Sequence, residues 1–102
     1  MPESVDIIKE VAPHLGRLDD AILLGNVWQH PGLSQRDRSL ITVAILIALC
    51  RPEELRGHIG KALDNGLSKE EIGEVITPMA FYAGWPAAAN ASGVTKGVFD
   101  AR

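Results

Sequence analysis

Ser34-Gln35-Arg36-Asp37-Arg38-Ser39-Leu40-Ile41-Thr42-Val43-Ala44-Ile45-Leu46-Ile47-Ala48-Leu49-Cys50 is the stretch from which the architecture follows. Ser34 is a good N-cap, and Asp37 three residues on makes an acidic variant of the capping box, so a helix starts here. It should run to about Leu49. From Leu40 to Cys50 that helix is apolar on every face, and such a helix has to be covered all round. A domain this small is expected to complete the cover with subunit contacts.

Working outward, apolar residues keep recurring at three- and four-residue spacing, with Pro and Gly between the runs. Pro52 suits the first turn of the next helix, and Asn65-Gly66 supplies a left-handed cap at its end. Leu55, Ile59, Ala62 and Leu63 make its buried face. Ser68 with Glu71 is a second capping box, opening a helix that carries Ile72, Val75, Ile76 and Met79. Pro78 cannot donate to the carbonyl of Glu74 and crowds it, which predicts a kink or an early break near Thr77. Gly84-Trp85-Pro86 interrupts the path. A last helix, Pro86 to Phe99, is rich in small residues, and Gly93 and Gly97 weaken it.

Upstream, two shorter helices are expected, roughly Ser4 to Ala12 and Pro13 to Gly25. Ile7, Ile8, Val11, Leu15, Leu18, Ile22 and Leu23 supply their apolar faces, and His30-Pro31-Gly32 forms a turn. No segment alternates as a strand does. The expectation is an all-α protein: a single domain over residues 1–102 with five to six helices.

Composition narrows the function. The chain has 102 residues, 46% of them hydrophobic, which suits one modest core. Ten basic residues against thirteen acidic ones give a formal net charge of -3, so no broad field draws nucleic acid. The N-terminus carries Glu3 and Asp6 and no apolar signal region, and no apolar run is long enough to span a bilayer. Cys50 is the single cysteine, which rules out an intrachain disulfide and a dithiol centre and fits a reducing, cytoplasmic setting.

Candidate chemistry gathers on the helix after Pro52. At 100° per residue, Arg51, Glu54, His58 and Asn65 share about one sixth of the circumference, beside the stripe of Leu55, Ile59 and Ala62. Glu54, one turn before His58, can orient the imidazole or raise its pKa, and Arg51 can bind a carboxylate. The plainer alternative is a hydrogen-bonded boundary histidine among solvated charges. Arg36 and Arg38 are either solvated or a second carboxylate grip. Tyr82 is either core packing with Phe81, Trp85 and Met79 or a donor to a developing enolate. Trp28 reads as core. Cys50 reads as buried and inert. His14 and His30 lack partner ligands, so no metal site is expected.

Val27-Trp28, Pro31-Gly32-Leu33-Ser34, Arg36-Asp37-Arg38-Ser39-Leu40, Glu54-Leu55 with His58, Ala62-Leu63-Asp64-Asn65-Gly66, Glu70-Glu71-Ile72 with Glu74, and Tyr82-Ala83-Gly84-Trp85-Pro86-Ala87 together resemble the carboxymuconolactone decarboxylase family. The resemblance covers about residues 24 to 90. It implies an alkylhydroperoxidase-like helical fold, association as trimers or hexamers, and pockets near subunit contacts. It also implies one of two activities: decarboxylation of a carboxylated lactone in aromatic-compound catabolism without a cofactor, or thiol-dependent peroxide reduction.

The peroxidase branch needs Cys-x-x-Cys upstream of a histidine. Placing that histidine at His58 puts Arg51 and Glu54 at the thiol positions, so only Cys50 with an external thiol is left for the redox alternative. For the decarboxylase branch the resemblance implies His58 as general acid, tuned by Glu54. Arg36, Arg38 or Arg51 grip the carboxylates of a small substrate, Trp85 lies at the substrate site, and Tyr82 holds the enolate. Two positions depart from the pattern. Pro78 replaces a histidine that many decarboxylase-type members carry, so either that second imidazole is dispensable or the function has changed, which keeps a non-catalytic helical oligomer open, and His30 replaces an arginine, which points to a changed substrate.

Overall fold

Two helix ends are built alike and organise the chain around the histidine. In the computed structural model, which describes residues 2–102 and their side chains from residue 7 onward, α4 spans Pro52–Asp64 with proline in its first turn. At its end the Gly66 N–H donates to the carbonyl of Leu63 at 3.2 Å and the Leu67 N–H to that of Ala62 at 3.0 Å. This is the Schellman arrangement, which needs a left-handed residue after the cap. Gly66 supplies it at φ +104°, and Leu67 folds back into the core beside Ala62.

The preceding helix, α3 (Gln35–Ala48), ends in the same way with a different residue. Cys50 N–H donates to Ile47 and Arg51 N–H to Leu46, at 3.1 and 3.0 Å, while Cys50 itself takes φ +53°. The left-handed position there is held by cysteine instead of glycine. This turn lifts Cys50 into solvent, so its expected burial is not found. The apolar run continued in one direction, but the helix stopped two residues short of the thiol.

α5 (Lys69–Tyr82) opens on Ser68, and both halves of the capping box form. Ser68 Oγ accepts from the Glu71 N–H at 3.0 Å, and Glu71 Oε1 accepts from the Ser68 N–H at 2.9 Å. The break expected at Pro78 does not occur, and the helix continues four residues past it to Tyr82. The carbonyl of Glu74 loses one donor there, while the neighbouring Thr77 hydroxyl bonds back to Gly73 at 3.0 Å. Gly84 separates α5 from α6 (Trp85–Ala101), the longest helix.

The chain divides into two compact units, Met1–Gln35 and Arg36–Arg102. In the second, Val43, Ile47, Leu55, Ile59, Ala62, Leu67, Ile72, Ala87 and Ala91 form one buried cluster. Alanines at 87, 88 and 91 let α6 lie close to its neighbours α4 and α5. The Arg102 guanidinium ties the end of α6 to α4, donating to the Gly60 carbonyl at 3.2 Å and pairing with Asp64. α3 buries Ser39, Val43 and Ile47 but leaves Ile41, Ile45 and Leu49 about half exposed, so the all-round apolar helix is covered on one side only.

The first unit holds α1 (Pro2–Val11) and α2 (Pro13–Leu18), and α2 runs on as a π-helical stretch over Asp19–Val27. Its end shows the wider winding directly, with Trp28 N–H donating to Leu23 at 2.9 Å, five residues back. Gly25 accommodates it: a Cβ at this position would lie 2.9 Å from the Asp20 carbonyl oxygen. The expected second helix is therefore present, but part of it is wound differently. Ile7, Val11, Leu15, Leu18, Ile22 and Leu23, expected as buried faces, are exposed, while Trp28 is buried as expected. Glu3 and Asp6 have side chains outside the described residues.

Candidate active site

His58 sits mid-way along α4, half-buried, between the core stripe of Leu55, Ile59 and Ala62 and the solvent-facing side of the helix. Burial is the main influence on its imidazole and pushes the pKa below the ordinary histidine value. The positive charge of Lys61 adds to this, and Glu54 acts in the opposite direction without prevailing. The raising effect expected from Glu54 is thus real but outweighed. At neutral pH the resting side chain is a neutral imidazole, able to accept a proton.

The polar strip along α4 is only partly available to a substrate. Arg51 is the residue preceding the helix, exposed, with φ -110° and ψ 75°. Asn65 caps the far end, and its Nδ2 donates to the buried Ser39 Oγ of α3 at 2.9 Å. That bond fixes the end of α4 against α3 instead of facing a ligand. Glu54 is exposed in the first turn. Lys61, absent from the strip drawn on spacing alone, is half-buried one turn after His58. Its signal in the sequence is the i, i+3 relation to the histidine.

Arg36 has a structural engagement. Its guanidinium pairs with Glu71 of α5 and reaches Asp37 at 3.4 Å, so it joins the start of α3 to the capping box of α5. Glu71 is held below the usual carboxylate range, first by the backbone N–H of Ser68 and further by Arg36. Arg38, half-buried on α3, has a carbonyl that accepts from the Thr42 hydroxyl at 2.7 Å.

The aromatic residues around the α5–α6 junction are not core. Phe81 is 76% exposed, Tyr82 89% and Trp85 69%. Phe81 and Trp85 meet edge to face, with centroids 6.0 Å apart. They border an open groove of about 320 Å³ between α5 and α6, whose floor includes Ile76, Ala80 and Ala88. The hydroxyl of Ser92 at its side bonds back to the carbonyl of Ala88. Trp85 lines this groove, whereas His58, Lys61 and Tyr82 are not among its lining residues. Among the described residues no cluster of His, Cys, Asp and Glu could hold a metal ion, and no helix is long and apolar enough to cross a membrane.

Residues 13–97 match the carboxymuconolactone decarboxylase family along most of the chain. The chain belongs to that family. It is 44% identical over 75 residues to the 4-carboxymuconolactone decarboxylase of Acinetobacter baylyi, a match covering 74% of this chain and 56% of that protein. It is 39% identical over 72 residues to the nitrosuccinic acid decarboxylase of Metarhizium robertsii, covering 71% and 50%. An uncharacterized 15.0 kDa protein of Paracoccus denitrificans is 32% identical over 78 residues, covering 74% and 58%. The chain spans about half the length of the curated relatives it matches. The resemblance read from the motifs is thereby confirmed, and so is the all-helical architecture expected of a carboxymuconolactone decarboxylase family member.

Proposed function

We propose that this chain is a decarboxylase acting on carboxymuconolactone or a related small carboxylated acid, with His58 carrying the proton. The observation that carries the reading is a half-buried histidine on α4 in a chain whose two named relatives are both called decarboxylases. Their names specify a carboxylated lactone in one case and a nitro-substituted succinic acid in the other. Both structures offer an electron-withdrawing group to receive the electron pair released as CO2 leaves. Such a substrate carries its own electron sink, so the reading assigns the protein no cofactor.

In the proposed step the bond to the departing carboxylate breaks, its electron pair passes into the conjugated group, and the resulting enolate takes a proton from His58. The lowered proton affinity of resting His58 means that the imidazole is neutral until an anionic substrate arrives. The substrate's negative charge then favours the imidazolium that the enolate needs. Glu54 assists that protonation from one turn away, and Tyr82 and Trp85 are assigned to the enolate and the substrate body. Arg38 and Arg51 remain carboxylate-binding candidates, whereas Arg36 is committed to Glu71. Copies of the chain, as trimers or hexamers in a cytoplasmic setting, would cover the exposed aromatic residues and bring elements from different subunits together.

Purified protein mixed with carboxymuconolactone, with ultraviolet absorbance and CO2 release followed together, tests this directly. Release by the parent and its loss in His58→Ala support the reading, and a folded parent that releases nothing sinks that substrate. One observation favours a second reading: Cys50 is exposed at a left-handed helix end, accessible to a peroxide. Its thiolate would take one oxygen of an alkyl hydroperoxide to become a sulfenic acid as the O–O bond breaks and the other oxygen leaves as the alcohol, and two equivalents of an external thiol would then restore it, releasing water and a disulfide. Peroxide consumption that survives Cys50→Ser eliminates that alternative.

A further inference from the structure

We propose that the trough between α5 and α6 binds an uncharged two-ring aromatic molecule carrying one hydroxyl group, with Thr95 as its polar anchor. The site goes beyond the decarboxylase reading. It shares Trp85 with the proposed substrate site and is lined by neither His58 nor an arginine.

The observation that points to a ligand is a hydroxyl without a bond. Thr95 on α6 is buried, 4% exposed, and its Oγ1 has no hydrogen-bond partner. A serine or threonine inside a helix has a local acceptor in the carbonyl four residues back. The hydroxyls of Thr42, Thr77 and Ser92 all take it, at 2.7, 3.0 and 2.8 Å. That of Thr95 does not. A hydroxyl buried in this state has lost its hydration and gained nothing in return, a cost that an incoming polar group removes.

Thr95 also stands at a hollow. With Gly73, Ile76, Ser92 and Phe99 it lines a space of about 230 Å³. Gly73 puts no side chain into it, and a Cβ at that position would meet nothing within 4 Å. Ile76 and Ser92 also line the groove of about 320 Å³ bordered by Phe81 and Trp85, so the two spaces meet along the seam of α5 and α6. From Ser92 the trough runs seven residues of α6 to Trp85, about 10 Å, and three residues the other way to Thr95, about 4.5 Å. The Thr95 hydroxyl reaches a ligand there by a step between staggered χ1 rotamers, two of which are open to threonine in a helix.

The lining sets the chemistry of the occupant. The larger space has walls of Ile76, Ala80 and Ala88, the edge-to-face pair of Phe81 and Trp85 at one end, and no charged residue. Such walls take aromatic rings, and an apolar cavity of about 150 Å³ is enough for one benzene. At the Thr95 end the charged residues are Lys96 and Asp100, joined to each other at 2.6 Å. The pair adds no net charge, so a carboxylate placed there would leave water without a cation of its own. A neutral hydroxyl suits this end, because it can either donate to Thr95 or accept from it. A second copy that covers Phe81 and Trp85 would roof the trough and leave its floor to the ligand.

Biphenyl-4-ol, biphenyl and biphenyl-4-carboxylate, each titrated into the full chain and followed through amide and indole nuclear magnetic resonance signals, test the proposal. Biphenyl-4-ol should shift Gly73, Ile76, Thr95 and the Trp85 indole together and bind about fivefold more tightly than biphenyl, the margin of one neutral hydrogen bond. Thr95→Val keeps the shape of the side chain and removes the hydroxyl, so it should bind the two equally. Without ligand this variant should melt no lower than the parent, because no bond is lost. Gly73→Leu grows a side chain into the open space and should bind neither molecule. Absence of shifts at these residues, a preference for biphenyl-4-ol that survives in Thr95→Val, or carboxylate binding as tight as that of the phenol overturns the proposal. A lower melting point of Thr95→Val also overturns it, by showing that the hydroxyl is already bonded. Shifts at Gly73 and Thr95 that follow protein concentration alone do the same, by giving the floor of the trough to a second copy.

Discussion

His58 couples the protein's stability to pH in a definite direction. Its pKa in the fold lies below the ordinary 6.5, so the unfolded chain binds more protons in the window between the two values. Stability from this residue is therefore complete above about pH 6.5 and is lost as the pH falls through the lower, folded value. Denaturation at a series of pH values from 7.5 to about 5 should show the parent losing stability more steeply than His58→Gln. The same protonation belongs to the proposed catalysis. If the acid form of His58 must be present when substrate is captured, kcat/KM falls as the pH rises past the free-enzyme pKa, and kcat holds to higher pH. Cys50 offers a second test at this scale. A side chain at φ +53° carries a left-handed penalty of about 1–2 kcal/mol, from which the entropy of a glycine takes back about half. Cys50→Gly should stabilise the protein by about 0.5–1 kcal/mol in urea titration.

The ends of α4 and α5 show which elements hold the site in place. Ser68→Ala removes the acceptor for the Glu71 N–H and should cost about 1 kcal/mol. Glu71→Gln weakens both the box and the tie to Arg36, so α3 and α5 are loosened together. Its effect should shrink in acid, because the parent's carboxylate is itself neutralised as the pH drops through its depressed pKa. Thermal melts at pH 7 and at pH 3 compare these cases. The π-helical stretch supplies a further element-scale expectation. Gly25→Ala places a methyl against the Asp20 carbonyl, and either the winding changes or stability drops; amide exchange at Trp28, whose N–H bonds to Leu23, reads the outcome. Pro78 is tolerated without ending α5, because one lost donor at Glu74 does not outweigh the apolar contacts of Ile76, Met79 and Ala80.

At the scale of the molecule, unmatched apolar surface dominates. The second unit exposes Ile41 and Ile45 on α3 and Leu49 just past its end, at four-residue spacing, and Phe81, Tyr82 and Trp85 around the end of α5. Surface of this kind in contiguous patches marks association sites. Sedimentation or light scattering should find an oligomer, and Ile45→Lys or Phe81→Ser should shift it toward lighter species. A parent that is monomeric at high concentration counts against self-association.

Much of the fold was legible in the sequence because it depends on short-range chemistry. The capping box of Ser68 and Glu71, the proline opening α4, the Asn65-Gly66 ending and the buried stripe of Leu55, Ile59 and Ala62 all follow from spacing within one or two turns. The order of the motifs was enough to indicate the family. What spacing could not reach was any choice settled by a distant neighbour. Arg36 ties the start of α3 to α5 because Glu71, thirty-five residues later, faces it, a pairing that spacing along one helix does not reveal. Cys50 came to the surface because α3 closes with a left-handed turn. The balance on His58 went against Glu54 because desolvation and the charge of Lys61 outweigh a single exposed carboxylate. Helical periodicity determined which residues share a face; only the tertiary structure decided which of those faces meet a charge, the core or water, because burial and field depend on what lies across the gap and not on what lies along the chain.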